Sequence, residues 1–160
     1  MVAGRETSKA VQVGVAIAFV VVVAAVAALG GLSTDTTTAD YMGLERPSWA
    51  PPGWLFGPVW SVLYLGIAAA GWLVWRERGV GTLLGLWGLQ MALNAAWTPL
   101  FFGLGQPAVA LVDIIALWFA IAVCIGMFWR ASRVASGLFV PYLAWVSFAT
   151  ALNAAIVSMN

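Results

Sequence analysis

Histidine is absent from this 160-residue chain, and cysteine occurs once. Lysine also occurs once, and only 8% of the residues are charged. Each shortage excludes a class of chemistry. Without histidine there is no His-ligated haem, no His-based metal site and no usual general base. The lone Cys124 lies in the middle of an apolar run. It permits no intrachain disulfide and reads as a small buried apolar residue. Lys9 stands ahead of the first apolar run, which excludes a retinal Schiff base within a helical bundle. The formal net charge of +1 offers no basic surface for nucleic acid. A soluble domain carries about 25% charged residues, so water is not the main solvent of this chain.

Apolar sequence takes the place of charge. Hydrophobic residues make up 63% of the chain and form five runs, approximately 11–32, 57–75, 80–102, 107–129 and 134–157. Each meets the roughly 20 residues needed to cross a bilayer as a helix. The expectation is an all-α membrane protein, a five-transmembrane-helix bundle forming a single domain over residues 1–160. A span must satisfy its own backbone hydrogen bonds, and no alternating ten-residue segments suggest a barrel. The first run follows Arg5 and Lys9 and ends near Ala27-Ala28-Leu29-Gly30, as a signal peptide does. It exceeds the usual 7–15-residue apolar core of such a peptide, which favours a retained helix.

The basic residues set an orientation. Arg5 and Lys9 precede the first span, Arg76 and Arg78 lie between the second and third, and Arg130 and Arg133 between the fourth and fifth. Arg46 alone falls on the other side. The positive-inside rule then places the N-terminus in the cytoplasm and the C-terminus outside, in the cell membrane.

The aromatic residues point to a binding surface. Pro47 to Tyr64 reads PSWAPPGWLFGPVWSVLY. Proline suits the first turn of a helix, where its missing N–H costs nothing. The loop therefore brings Trp49, Pro51, Pro52 and Trp54 to the mouth of a helix whose first turn carries Trp60, with Tyr64 four residues on. These form a lid of flat aromatic surface suited to a large planar ligand.

Span three has two faces. Gly81, Gly85, Gly88 and Ala92 form one smooth stripe; Gln90, Asn94, Trp97 and Phe101 recur at the same spacing on the opposite side. The glycine stripe permits close helix approach, either inside the bundle or across a dimer interface. Gln90 and Asn94 are costly in hydrocarbon and belong in the bundle interior. They read as interhelical glue, at about 0.6 kcal/mol per bond, or, with Trp97 and Phe101, as a ligand-facing surface. Span five carries Tyr142, Trp145, Ala149 and Asn153 on one broad face. Trp72, Trp75 and Trp129 sit beside arginines at span ends and read as interfacial belt residues. Asp113 is the one acid well inside a span; it reads equally as a polar site or as a side chain reaching the interface. Pro99 and Pro141 interrupt spans three and five, freeing the carbonyls of Ala95 and Gly137.

These runs resemble the TspO/translocator-protein family, also called tryptophan-rich sensory proteins or peripheral-type benzodiazepine receptors. The resemblance rests on Pro47-Ser-Trp-Ala-Pro-Pro-Gly-Trp54 and Gly57-Pro-Val-Trp-Ser-Val-Leu-Tyr64. It continues through Gln90, Asn94-Ala-Ala-Trp-Thr-Pro-Leu-Phe-Phe-Gly103 and Ala110-Leu-Val-Asp113. Pro141-Tyr-Leu-Ala-Trp145 and Phe148-Ala-Thr-Ala-Leu-Asn153 complete it. The resemblance implies five helices around a pocket beneath the first long loop, with protoporphyrin IX or a related tetrapyrrole as ligand and no required cofactor. It implies that Trp60 and Trp145 flank the porphyrin, while Tyr64, Asn94, Trp97, Ala149 and Leu152 line the pocket. It also implies a homodimer packed through helix three. The family's animal members end helix five with a Leu/Val–Tyr–Lys/Arg pattern; here no basic residue follows Arg133, which counts against sterol binding there.

Three functions compete at this stage. One is a membrane tetrapyrrole-binding protein acting in sensing, regulation or transport. Another is a porphyrin-degrading enzyme, driven by light or oxygen, that uses Trp60 and Trp145; no nucleophile–base pair or metal cluster supports conventional catalysis. The third is a structural membrane assembly protein.

Overall fold

The computed structural model describes residues 8–35 and 43–160. Arg5, counted above for orientation, lies outside the described residues. Five α-helices run as α1 (Lys9–Asp35), α2 (Phe56–Arg78), α3 (Thr82–Thr98), α4 (Pro107–Phe128) and α5 (Arg133–Met159). No strand occurs among the described residues. The helices close a ring in the order α1, α2, α5, α4, α3, with α3 returning to α1.

Four of the helices are long and apolar enough to cross a membrane. The exception is α3, which ends at Thr98 after 17 residues rather than continuing to 102 as the apolar run suggested. Pro99 lacks the N–H that would bond Ala95. The chain continues as a five-residue π-helical turn, Pro99–Gly103, in which the Leu104 N–H donates to the Pro99 carbonyl at 2.8 Å. Such turns appear at interruptions of this kind and often at functional sites. Here the turn directs Phe101 inward, where it is buried, with Phe102 beside it. Pro141 has a gentler effect, and α5 runs through it without a break.

Local sequence explains the turns. Gly79 has φ 68° and Gly105 has φ 59°; both adopt the left-handed conformation that only glycine reaches at little cost. The Gly79 N–H donates to the Trp75 carbonyl at 2.7 Å, closing α2. Ser132 caps α5 by accepting from the Ala135 N–H at 3.2 Å.

The helices differ in what they bury. Among the described side chains of α1 only Val23 is buried, while Val13, Ile17 and Val21 stand more than half exposed. Val62, Leu65, Val112 and Phe119 form a similar outer surface on α2 and α4. An apolar exterior of this extent belongs against lipid. The interior holds one large cluster through Ile67, Val74, Ile121, Phe128 and Phe139. A smaller cluster around Phe101, Ala110, Leu152 and Ile156 sits near the π-turn. α1, α2 and α3 meet at Gly71. A Cβ there would lie 2.6 Å from Phe19 and 2.7 Å from the Trp87 indole nitrogen. Trp87 packs edge-on against Phe19, with ring centroids 4.8 Å apart, and its N–H donates to the Ile67 carbonyl at 2.9 Å.

Candidate ligand-binding cleft

The Pro-rich loop lies over one end of the bundle and is tied down there. The Glu45 N–H donates to the Asn160 side-chain oxygen at 3.1 Å, and the Asn160 amide returns a bond to the Glu45 carbonyl at 3.1 Å. Leu44 and Ala50 pack against the smaller core cluster. Trp49 meets Phe148 edge-on at 5.8 Å, and Phe148 lies 5.5 Å from Trp145. Trp145 in turn meets Phe56 at 5.7 Å. A continuous aromatic path therefore runs from the loop into the bundle. Trp54 stands apart from it, 72% exposed. Pro51 is half-buried and Pro52 exposed.

Beneath the loop lies a cleft with an empty volume of about 400 Å³, counting the space at its mouth. Trp60 and Tyr64 of α2, Asn94 and Trp97 of α3, and Trp145 and Ala149 of α5 line it. A second hollow of about 300 Å³ shares Trp97 and Ala149 and extends past Phe101, Leu152 and Asn153. Phe56 also borders both hollows, which adjoin as one narrow space. Aromatic rings supply much of its wall: Trp60 and Tyr64 lie 5.2 Å apart at 30°, and Trp97 stacks on Phe101 at 5.1 Å and 25°.

Gln90 and Tyr142 do not line either hollow; both are completely buried behind the wall. They form a directed hydrogen-bond chain. Tyr64 donates to the Asn94 oxygen at 2.9 Å, and the Asn94 amide donates to the Tyr142 hydroxyl at 2.9 Å. Tyr142 donates to the Gln90 oxygen at 3.1 Å, and Gln90 donates to the Trp87 carbonyl at 2.9 Å. Four polar side chains from three helices satisfy one another, which offsets their cost in hydrocarbon. Tyr64 and Asn94, the outer members, face the cleft. Trp97 and Asn153 form a second link: the indole donates to Asn153 at 3.2 Å, and Asn153 donates to the Pro107 carbonyl at 2.9 Å.

Two buried polar atoms have no partner among the described residues: the Trp145 indole nitrogen and one Asp113 carboxylate oxygen. Buried donors are normally satisfied. The Trp145 N–H therefore offers an unused hydrogen bond from a residue that lines the cleft. Asp113 is half-buried and is not among the residues lining the cleft, although its neighbour Ile114 is.

Several lining residues escaped the sequence reading: Phe56, Thr98, Ile114, Leu117, Val146, Phe102 and Ile156. Phe56 lies one turn before Trp60, so helical spacing contained its signal. Ile114 and Leu117 lie in an apolar run where nothing separates them from core. The glycine stripe of α3 faces outward; Gly81, Gly85, Gly88 and Ala92 are exposed, and a Cβ on any of these glycines would meet nothing within 4 Å.

The fold and cleft together define an all-helical integral membrane protein with an aromatic-walled cavity under a loop. The TspO/MBR family profile matches residues 18–159, and the chain belongs to that family. It is 44% identical to the tryptophan-rich protein TspO of Chlorobaculum tepidum over 124 residues, covering 75% of this chain and 78% of that one. It is 45% identical to the translocator protein of Homo sapiens over 118 residues, covering 71% and 70%. Against the tryptophan-rich sensory protein of Cereibacter sphaeroides it is 37% identical over 120 residues, covering 75% and 76%.

Proposed function

We propose that this protein binds a tetrapyrrole of the protoporphyrin IX type in the cleft between α2, α3 and α5, acting in porphyrin sensing, regulation or transport. The observation that carries the reading is the wall itself. Trp60, Trp97 and Trp145 present flat surface, while Tyr64 and Asn94 supply fixed polar contacts. Stacking on an aromatic ring adds about 0.5–1.5 kcal/mol beyond area burial. The unused Trp145 N–H suits an acceptor at the edge of such a ring. The test is titration of the purified protein with protoporphyrin IX, followed by tryptophan fluorescence in darkness and then under light. Saturable quenching in darkness is expected; its absence overturns the reading. Bleaching of the porphyrin only in the light arm supports photo-oxidative degradation, the second reading, favoured by two cleft-lining indoles.

The same proposal includes five membrane crossings, with α3 and its π-turn together spanning the bilayer. Lys9, Arg76, Arg78, Arg130 and Arg133 lie at one end of the helices and Arg46 precedes the other, which supports a cytoplasmic N-terminus in the cell membrane. A reporter fused ahead of residue 1 and active only outside the cytoplasm would refute that orientation. Exposed glycine offers little to lipid but allows close contact between helices, so the outward stripe of α3 supports a homodimer. Gly85→Leu should convert dimer to monomer by light scattering while porphyrin binding persists. A dimeric variant that has lost the ligand would mean the two faces of α3 are reversed.

A further inference from the structure

The end of the bundle remote from the aromatic loop carries a separate opening. Arg78 closes α2, Gly81 and Thr82 begin α3, and Met127 and Arg130 come from the end of α4 and the turn after it; together they line a cleft of about 750 Å³, counting the open space at its mouth. One Arg78 guanidinium nitrogen donates to the Arg130 carbonyl at 2.9 Å. That bond holds the Arg78 side chain against the neighbouring turn and uses one of its five N–H donors.

The four arginines at this end are not equivalent. Arg76 pairs with Glu77 at 3.2 Å and lies 4.8 Å from the Trp72 ring centre. Arg133 lies over Trp129 at 5.2 Å. Both are engaged by an indole. Arg78 and Arg130 meet no carboxylate among the described residues, and both line the cleft. The positive-inside rule explains why arginines gather at this end; it does not explain why two of them share a cavity.

Depth supplies the rest. Trp72 and Trp129 have the amphipathic character of residues at the headgroup level. Met127, which lines the cleft, is 43% exposed, and Val80, between the lining residues Gly79 and Gly81, is 88% exposed, so exposed apolar side chains border the two arginines. Two guanidiniums match a phosphate, which they can bind through paired N–H donors. The apolar rim suits the acyl chains of a lipid and offers nothing to a free ion. We propose that this cleft binds the phosphate headgroup of an anionic phospholipid, with Arg78 and Arg130 as its two cationic contacts. Basic pockets between helices near the membrane surface recognise such headgroups.

The full-length protein in neutral detergent, examined by native mass spectrometry with equal amounts of phosphatidylglycerol and phosphatidylcholine, tests this. Phosphatidylglycerol should be retained at least about tenfold better. Each arginine near an anionic membrane surface contributes about fivefold to affinity. R130Q keeps the backbone carbonyl that anchors Arg78, so it preserves the turn; it should weaken phosphatidylglycerol binding by about fivefold. R78Q/R130Q should weaken it about 25-fold, while R76Q/R133Q should weaken it less than threefold. Equal retention of the two lipids by the wild type would overturn the proposal, as would an unchanged preference in folded R130Q. Displacement of the lipid by millimolar inorganic phosphate would show that the charge alone suffices, and would overturn the assignment to a lipid.

Discussion

The two ends of the bundle present opposite chemistry. Under the loop, the cleft is walled by Trp60, Trp97, Trp145 and Phe101, and its polar groups are neutral. At the far end, the opening is bordered by Arg78 and Arg130, and its aromatic residues, Trp72 and Trp129, serve as rests for other arginines. The difference follows from where each end lies in the chain. At the aromatic end, α2 follows a loop rich in proline and tryptophan, and α3 passes toward α4 through a π-turn. The arginine end is joined by the short turns at 79–81 and 129–132, whose residues other than Trp129 are small or basic. Stacking is insensitive to salt and demands shape; charge is sensitive to salt and tolerates disorder. One bundle can therefore carry two chemically distinct surfaces without a second domain.

The largest expected effect joins the two ends, because both depend on the middle. Gly71→Ala places a methyl group 2.6 Å from Phe19 and 2.7 Å from the Trp87 nitrogen. Phe19 is half-buried and has room to shift, whereas Trp87 is buried and hydrogen-bonded to Ile67. Overpacking of this kind costs about 1–3 kcal/mol. The variant should melt at lower temperature in detergent, with porphyrin and lipid binding lost together on heating. If the melting temperature is unchanged, the α1–α2–α3 junction is looser than its geometry indicates.

A smaller effect separates the ends. The double replacement Trp60→Phe and Trp145→Phe keeps aromatic area but removes both indoles. It should weaken protoporphyrin IX binding by about tenfold, from roughly 0.7 kcal/mol at each site, with the melting temperature nearly unchanged. The arginine end should not respond. Unaltered porphyrin affinity in the folded double variant would remove these two residues from recognition.

Salt should divide the ends in the other direction. Raising ionic strength from about 0.1 M to 1 M shortens the Debye length from about 10 Å to about 3 Å. Retention of anionic lipid at Arg78 and Arg130 should fall several-fold, while quenching by protoporphyrin IX in the aromatic cleft should change by less than twofold. A comparable loss at both ends would indicate that the aromatic cleft also relies on charge, for which Asp113 is the nearest candidate.

How far the sequence revealed this arrangement depends on the kind of signal. Helix positions were legible to within a few residues, because long apolar runs bounded by glycine, proline and arginine leave few alternatives. The end of α3 was not. Pro99 announced an interruption, but whether the chain would kink, stop or pass into a π-turn depends on what Phe101 and Phe102 find to pack against. The two faces of α3 were legible from spacing alone: Gln90 and Asn94 are buried, and Gly81, Gly85 and Gly88 are exposed. Spacing did not reveal that Gln90 and Tyr142 bond to each other behind the wall, since helical periodicity gives direction and not depth. Ile114 and Leu117 carry no chemical mark that distinguishes lining from core. The bond between Glu45 and Asn160 joins residues 115 positions apart, and no local pattern encodes such a pairing.

That bond yields the smallest expected effect and the most local one. Asn160 both accepts from and donates to the Glu45 backbone, at 3.1 Å each way, and its amide also donates to the Ile156 carbonyl at 2.9 Å. The two bonds to Glu45 are exposed and the bond to Ile156 is partly buried; a hydrogen bond of this kind contributes about 0.5–1.5 kcal/mol. Asn160→Ala should therefore leave the melting temperature within a degree or two of the parent. Its effect should concentrate on the loop, because Leu44, Ala50 and Trp49 remain as its other anchors to α5 and the π-turn. Limited proteolysis should cut near 43–46 faster than in the parent, and porphyrin should both enter and leave the cleft faster, with little change in affinity. Faster exchange at the aromatic end with no change at the arginine end would identify the loop as the barrier to entry. Unchanged rates with faster proteolysis would show that ligand reaches the cleft between helices instead of beneath the loop.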